Sequence, residues 1–157
     1  MQSSEEESPF IDAVVAASRA LASVVQRTLC EITDEVTLAQ YRTLVVLALR
    51  GPQNLASLAK EIGVTPATAT RMCDRLVAKE LITRHSQDED RRHIRLVVAS
   101  KGHQLVSAVG ERRRSEMDAI VRSLSLEDET ILSQTLIRFA AAVGEVPEQD
   151  WSTGWEI

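Results

Sequence analysis

The chain has 157 residues, 44% of them hydrophobic and 26% charged, and carries a formal net charge of −5. That balance fits a folded protein of one domain, or of two small units sharing a core, and excludes a disordered polyelectrolyte. No uninterrupted apolar run reaches the roughly 18 residues that a membrane span needs.

Other class markers are weak or negative. The opening MQSSEEESP carries acidic side chains where a secretory leader would be basic, so a cytoplasmic protein without a membrane partner is expected. The two cysteines, Cys30 and Cys73, fall in helix-like segments. They read as small buried apolar residues rather than a disulfide framework.

Residues 1–8 read as a frayed acidic tail. Pro9 then opens a long helix to about Glu31. Ile11, Val14, Val15, Ser18, Ala22, Val25 and Leu29 form one stripe with a period of roughly 3.5 residues. A chain this short has little to cover so long a face. A helix from a second copy is the expected cover, and folding back on its own chain is the other.

Thr37 to Arg50 reads as a helix capped by Thr37, with Tyr41, Leu44, Val45, Leu47 and Ala48 inward and Gly51-Pro52 as its stop. Asn54 caps a short helix with Leu55, Leu58, Ala59 and Ile62 inward, ended by Gly63. After a tight turn, TPATATRMCDRLVAK begins with Thr65 as cap and Pro66 at the first helical position. Its apolar residues, Ala69, Met72, Cys73, Leu76 and Val77, make one buried stripe. Its outer face carries Thr68, Thr70, Arg71, Asp74, Arg75 and Lys79. Two short helices joined by a tight Gly-containing turn form a helix-turn-helix, whose second helix projects its outer face into a major groove. A plain solvated face is the competing reading of that helix taken alone.

Glu80 to Arg84 and His93 to Ala99 read as two strands, with the polar loop His85 to Arg92 between them. A hairpin after a helix-turn-helix makes a winged helix. Arg91 and Arg92 follow Asp88, Glu89 and Asp90 at the tip, and an extended arginine suits the negative minor groove. Taken alone, that loop also reads as a set of self-compensating charges. Ser100 is expected to cap a helix to about Ser123, and Ser125 to cap a last one to about Val143. Ile131, Leu132, Leu136, Phe139 and Val143 mark the apolar face of that last helix. The tail holds Trp151 and Trp155, to which no role is assigned.

Charge is unevenly spread. From Asn54 to His103 there are nine Lys or Arg and six Asp or Glu, giving +3, so the remainder carries −8. A modestly basic segment in an acidic chain suits a local anionic target. Enzyme chemistry finds no support. There is no Gly-rich phosphate loop and no nucleophile elbow. His85, His93 and His103 have no ligand-type spacing, and only a pairing of His85 with His93 across the hairpin would suggest a metal. No cofactor and no metal are expected.

TLAQYRTLVVLA, NLASLAKEIGVTPATATRMCDRLVAKELITR and DEDRRHIRLVVASKG together resemble the multiple antibiotic resistance regulator (MarR) family of winged-helix transcription factors. The resemblance covers about Thr37 to Gly102 in detail. Its most specific part is the wing pattern Asp90, Arg92, Leu96, Val98, Gly102. Ala99 departs from it, standing where the family usually has a Thr that can cap the next helix.

The implied fold is mainly α with a small β-hairpin wing, a winged helix-turn-helix flanked by long N- and C-terminal dimerisation helices. Its expected divisions are 9–36 and 101–145 for dimerisation and 37–100 for DNA binding, with tails at 1–8 and 146–157. The implied function is a ligand-responsive repressor that binds a pseudo-palindromic operator in double-stranded DNA as a homodimer. Thr68, Thr70, Arg71 and Arg75 match positions near base edges and phosphates, with Arg75 able to pair instead with Asp74. Arg92 matches the minor-groove arginine, Asp90 orients it, and Arg91 is the second choice. The implied effector is a small aromatic or phenolic compound. Two alternatives stay open. One is a redox-sensing regulator of the same fold using Cys73 or Cys30. The other is a winged-helix protein-interaction module that never touches DNA.

Overall fold

In the computed structural model, residues 8–86, 94–124 and 128–145 are described. Six helices and one hairpin follow in order: α1 (Pro9–Ile32), α2 (Leu38–Arg50), α3 (Leu55–Ile62), α4 (Pro66–Ala78), β1 (Ile82–Ser86), β2 (Ile94–Val98), α5 (Ser100–Ser123) and α6 (Glu129–Ala142). The expected winged helix is present, mainly helical with a two-stranded antiparallel wing.

Local capping chemistry sets most boundaries. Thr37 and Gln40 form a reciprocal capping box at the start of α2. Asn54 Oδ1 accepts the Ser57 amide at 2.8 Å, and Thr65 Oγ1 accepts the Thr68 amide at 3.2 Å. Gly63 ends α3 at φ +71°, a left-handed turn where a side chain would be strained.

Three boundaries differ from expectation. β1 begins two residues later than Glu80, because Glu80 itself turns left-handed (φ +61°) and the Leu81 amide still bonds back to Leu76 O at 2.9 Å, closing α4. The strand therefore takes in His85 and Ser86, which the sequence placed in the loop. Ser100 is not the cap of α5. It is the first helical residue, and Ala99 occupies the cap position with no side-chain bond to offer. At α6 the cap is Asp128, whose Oδ1 accepts the Ile131 amide at 3.0 Å; Ser125 lies outside the described residues.

The core joins α2 to its neighbours. Leu44 and Leu47 of α2 pack with Leu58, Cys73, Leu76, Ile82 and Leu96, while Val106 and Val109 of α5 and Leu29 of α1 close the other side. The hairpin pairs Ile82 with Val98 through to Ser86 with Ile94, and Gln53 adds a one-residue third strand against Leu96. Gly102 is required where α5 crosses the base of the wing, since a Cβ there would stand 2.2 Å from Leu81 O and 2.8 Å from Val98 Cγ1.

The flanking helices are mostly uncovered. α1 buries only Val24, Thr28 and Leu29, in its C-terminal third, where Arg27 pairs with Glu116 and Glu31 with Arg112 of α5. Towards its start, Phe10 and Ile11 are exposed. α6 buries nothing, and Ile131, Leu136, Phe139 and Val143 lie open. By length and mean hydropathy α1 is long and apolar enough to cross a membrane, although no unbroken apolar run in it reaches that length. Asp12 and Arg19 interrupt it, and its C-terminal part is salt-bridged to α5.

Candidate nucleic-acid interface

α4 is held by its inner stripe. Ala69, Cys73 and Leu76 are fully buried, with Met72 and Val77 half-buried beside them. The rotation this fixes leaves Arg71, Asp74 and Arg75 exposed and Thr68 and Thr70 half-buried near the helix start. Thr70 Oγ1 donates to Pro66 O at 2.9 Å, and the Thr65 and Thr68 hydroxyls are 3.0 Å apart. Arg71 and Arg75, four residues apart, share one exposed side of α4 with Thr68 at its edge, whereas Thr70 lies on the other flank of the buried stripe.

Asp74 does not pair with Arg75. Adjacent helical residues diverge by about 100°, and the Asp74 carboxylate is taken by Arg84 of β1 instead. The outward acid is thus neutralised from the wing, and neither Arg71 nor Arg75 has an ion pair among the described residues. Arg84 was not marked by the sequence, because only the tertiary fold sets a β1 side chain against α4. Lys79 is likewise a positioning contact: its Nζ donates to Glu35 O in the α1–α2 connection, holding the far end of α4.

Arg91, Arg92 and Asp90 lie outside the described residues, as does His93. His85 stands across from Arg95 in the hairpin register and shares a 2.9 Å bond with Thr83 Oγ1. No group of three or more potential metal ligands occurs among the described residues. Cys73 is 0% exposed, and burial pushes its thiol up, with Arg84 acting downward and Asp74 upward. A thiol held protonated in a packed core is a poor redox sensor. Cys30 is exposed, correcting the expectation that both cysteines are buried. It follows the buried Leu29 by one residue, about 100° round the helix.

The geometry matches known proteins. The MarR family model matches residues 36–94. The crystal structure of RV1404 from Mycobacterium tuberculosis is similar along nearly the whole length: 36% identity and a TM-score of 0.83, covering 88% of this chain and 95% of that one. The chain belongs to the MarR family. The HTH-type transcriptional regulator YhbI of Bacillus subtilis is 30% identical over 84 residues, which is 52% of this chain and 54% of YhbI. The chain thus spans about half the length of that relative. A Staphylococcus aureus MarR in complex with salicylate and kanamycin has a TM-score of 0.71 at 19% identity, covering 85% of this chain and 87% of that one; the likeness is one of fold.

Proposed function

We propose that this MarR-family chain is a transcriptional regulator that binds a pseudo-palindromic operator in double-stranded DNA as a homodimer. The observation that carries the reading is the outer side of α4, where Arg71 and Arg75 stand exposed and without an ion pair among the described residues, near the Thr68 hydroxyl, while Asp74 between them is neutralised by Arg84. A helix start bearing hydroxyls and arginines meets phosphates and major-groove base edges. Arg92, oriented by Asp90 and seconded by Arg91, enters the neighbouring minor groove.

The homodimer is supported by the uncovered apolar sides of α1, α5 and α6, too large for a free surface. Residues 9–36 and 101–145 serve dimerisation and 37–100 DNA binding. The effector is a small aromatic or phenolic compound, a reading supported by the salicylate held in the S. aureus structure. It acts by shifting the population whose two α4 helices match the operator spacing. A redox role for Cys73 is disfavoured by its burial, which leaves the exposed Cys30 as the thiol such an alternative would use. Selection of bound fragments from genomic or random DNA tests the proposal: a recovered palindrome supports it, and no enrichment in dilute buffer contradicts it.

A further inference from the structure

The far end of α6 is gripped by one face of α2. Arg42 takes the Glu145 carboxylate with both amino groups, Nη1 to Oε1 at 3.1 Å and Nη2 to Oε2 at 3.0 Å. Two turns further along α2, Arg50 Nη2 donates to Gly144 O at 3.1 Å. The same guanidinium pairs through Nε with Glu61 Oε1 of α3 at 2.6 Å. Gly144 turns left-handed at φ +76°, and the arginine satisfies a carbonyl left over at the negative end of the helix. Between the two arginines, Val46 and Leu49 of α2 face Val143 across a cavity of about 180 Å³.

Among the described residues Arg42 reaches only Glu145, just past α6, whereas Arg50 reaches Gly144 and Glu61 of α3 together. α3 is joined to α4 by the tight turn at Gly63, so its tilt sets the tilt of α4. α6, in turn, buries nothing within its own chain. We infer that Arg50 is a positioning residue that fixes the reading head to the dimerisation arm and so sets the separation of the two α4 tips. The inference rests on the homodimeric DNA-binding reading, but its mechanical part concerns one protomer. Arg50 sits at the opposite end of α2 from the Lys79–Glu35 contact and touches no part of the outer side of α4.

The mechanical part is tested without DNA. Spin labels are placed at Ser57→Cys on α3 and Ser133→Cys on α6 in a Cys30→Ser background, and the labelled chain is diluted with unlabelled chain. The parent chain gives a narrow distance distribution, and Arg50→Gln broadens it. Arg42→Gln broadens it less. Distributions that superimpose for parent and Arg50→Gln overturn the inference, whether or not the protein binds DNA. The functional part uses duplexes in which the half-sites of the selected palindrome are moved apart or together by one and two base pairs. The parent prefers one spacing. Arg50→Gln, still a dimer by sedimentation, loses about three- to tenfold on that duplex, the scale of a partly exposed charge cluster. It also discriminates less among spacings, while its salt slope is unchanged because no phosphate contact is lost. An unchanged spacing preference overturns the inference. Absence of DNA binding by the parent itself counts against the operator reading instead.

Discussion

Asp74 of α4 is paired with Arg84 of β1, so the wing strand neutralises the acid on the side of the helix that faces outward. Both side chains are partly exposed, and a pair of that kind contributes below about 1 kcal/mol to stability. Its larger effect is electrostatic. Arg84→Ala releases a carboxylate one helical turn from Arg71, where it pairs internally and repels phosphate. The expected outcome is a small loss in urea midpoint but a several-fold loss in affinity for operator DNA. Asp74→Asn in the Arg84→Ala background restores most of the binding. Failure of that rescue, measured by fluorescence anisotropy, refutes the role given to the pair.

Arg71 and Arg92 are expected to fail differently. An arginine reading a guanine edge contributes about 1–3 kcal/mol of discrimination, while a backbone or minor-groove arginine adds affinity for every site. Arg71→Ala should therefore flatten the preference at one base pair of each half-site. Arg92→Ala should weaken all sites in parallel. Binding measured across a panel of single-base operator variants separates the two, and a parallel loss for Arg71→Ala would remove it from base recognition.

The start of α5 offers two substitutions of opposite sign. Gly102→Ala places a methyl 2.2 Å from Leu81 O, and the wing base must shift to admit it. A cost of about 1–3 kcal/mol is expected from such overpacking. Ala99→Thr supplies the cap hydroxyl that α5 lacks, at a residue already in extended backbone with φ −81° and ψ 164°. A gain of about 0.5–1 kcal/mol is expected. Chemical denaturation of both variants checks the pair, and a stabilised Gly102→Ala would contradict the close approach.

His103 gives the fold an acid-side sensitivity. Burial holds its imidazole below the ordinary value of 6.5. As pH falls below that value the unfolded chain takes up the proton first, so the unfolded state gains. Stability present above pH 6.5 is therefore lost on acidification through the lowered folded value. His103→Gln should lose less between about pH 7 and pH 5 than the parent does. Equal losses in thermal midpoint would show that burial of this ring is not felt.

Much of the fold is local chemistry and was legible for that reason. Thr37, Asn54, Thr65 and Gly63 each act within four residues of themselves, so caps and turn can be read along the chain. The inner side of α4 follows from spacing alone. What escaped depends on partners distant in sequence. The pairing of Asp74 with Arg84, the grip of Arg50 on Gly144 and Glu61, and the crossing at Gly102 need the tertiary arrangement. Ser100 was misassigned as a cap because a serine near a helix start looks alike at the cap and one position away from it, and at α6 the acid three residues after Ser125 takes the cap. Cys30 was expected to be buried as a small apolar residue in a helical segment, yet one residue beyond Leu29 along a helix is enough to turn a side chain outward. The α6 stripe was visible as a period, but periodicity does not name what covers it.

Sedimentation of the purified chain, alone and with a duplex recovered by its own selection, puts the two-fold reading to its most direct test. The predicted result is a dimer that loads two chains on one duplex, on half-sites about one helical turn apart, with affinity falling steeply as salt rises. A monomer that stays monomeric at micromolar concentration and leaves the duplex unbound at low salt would contradict it.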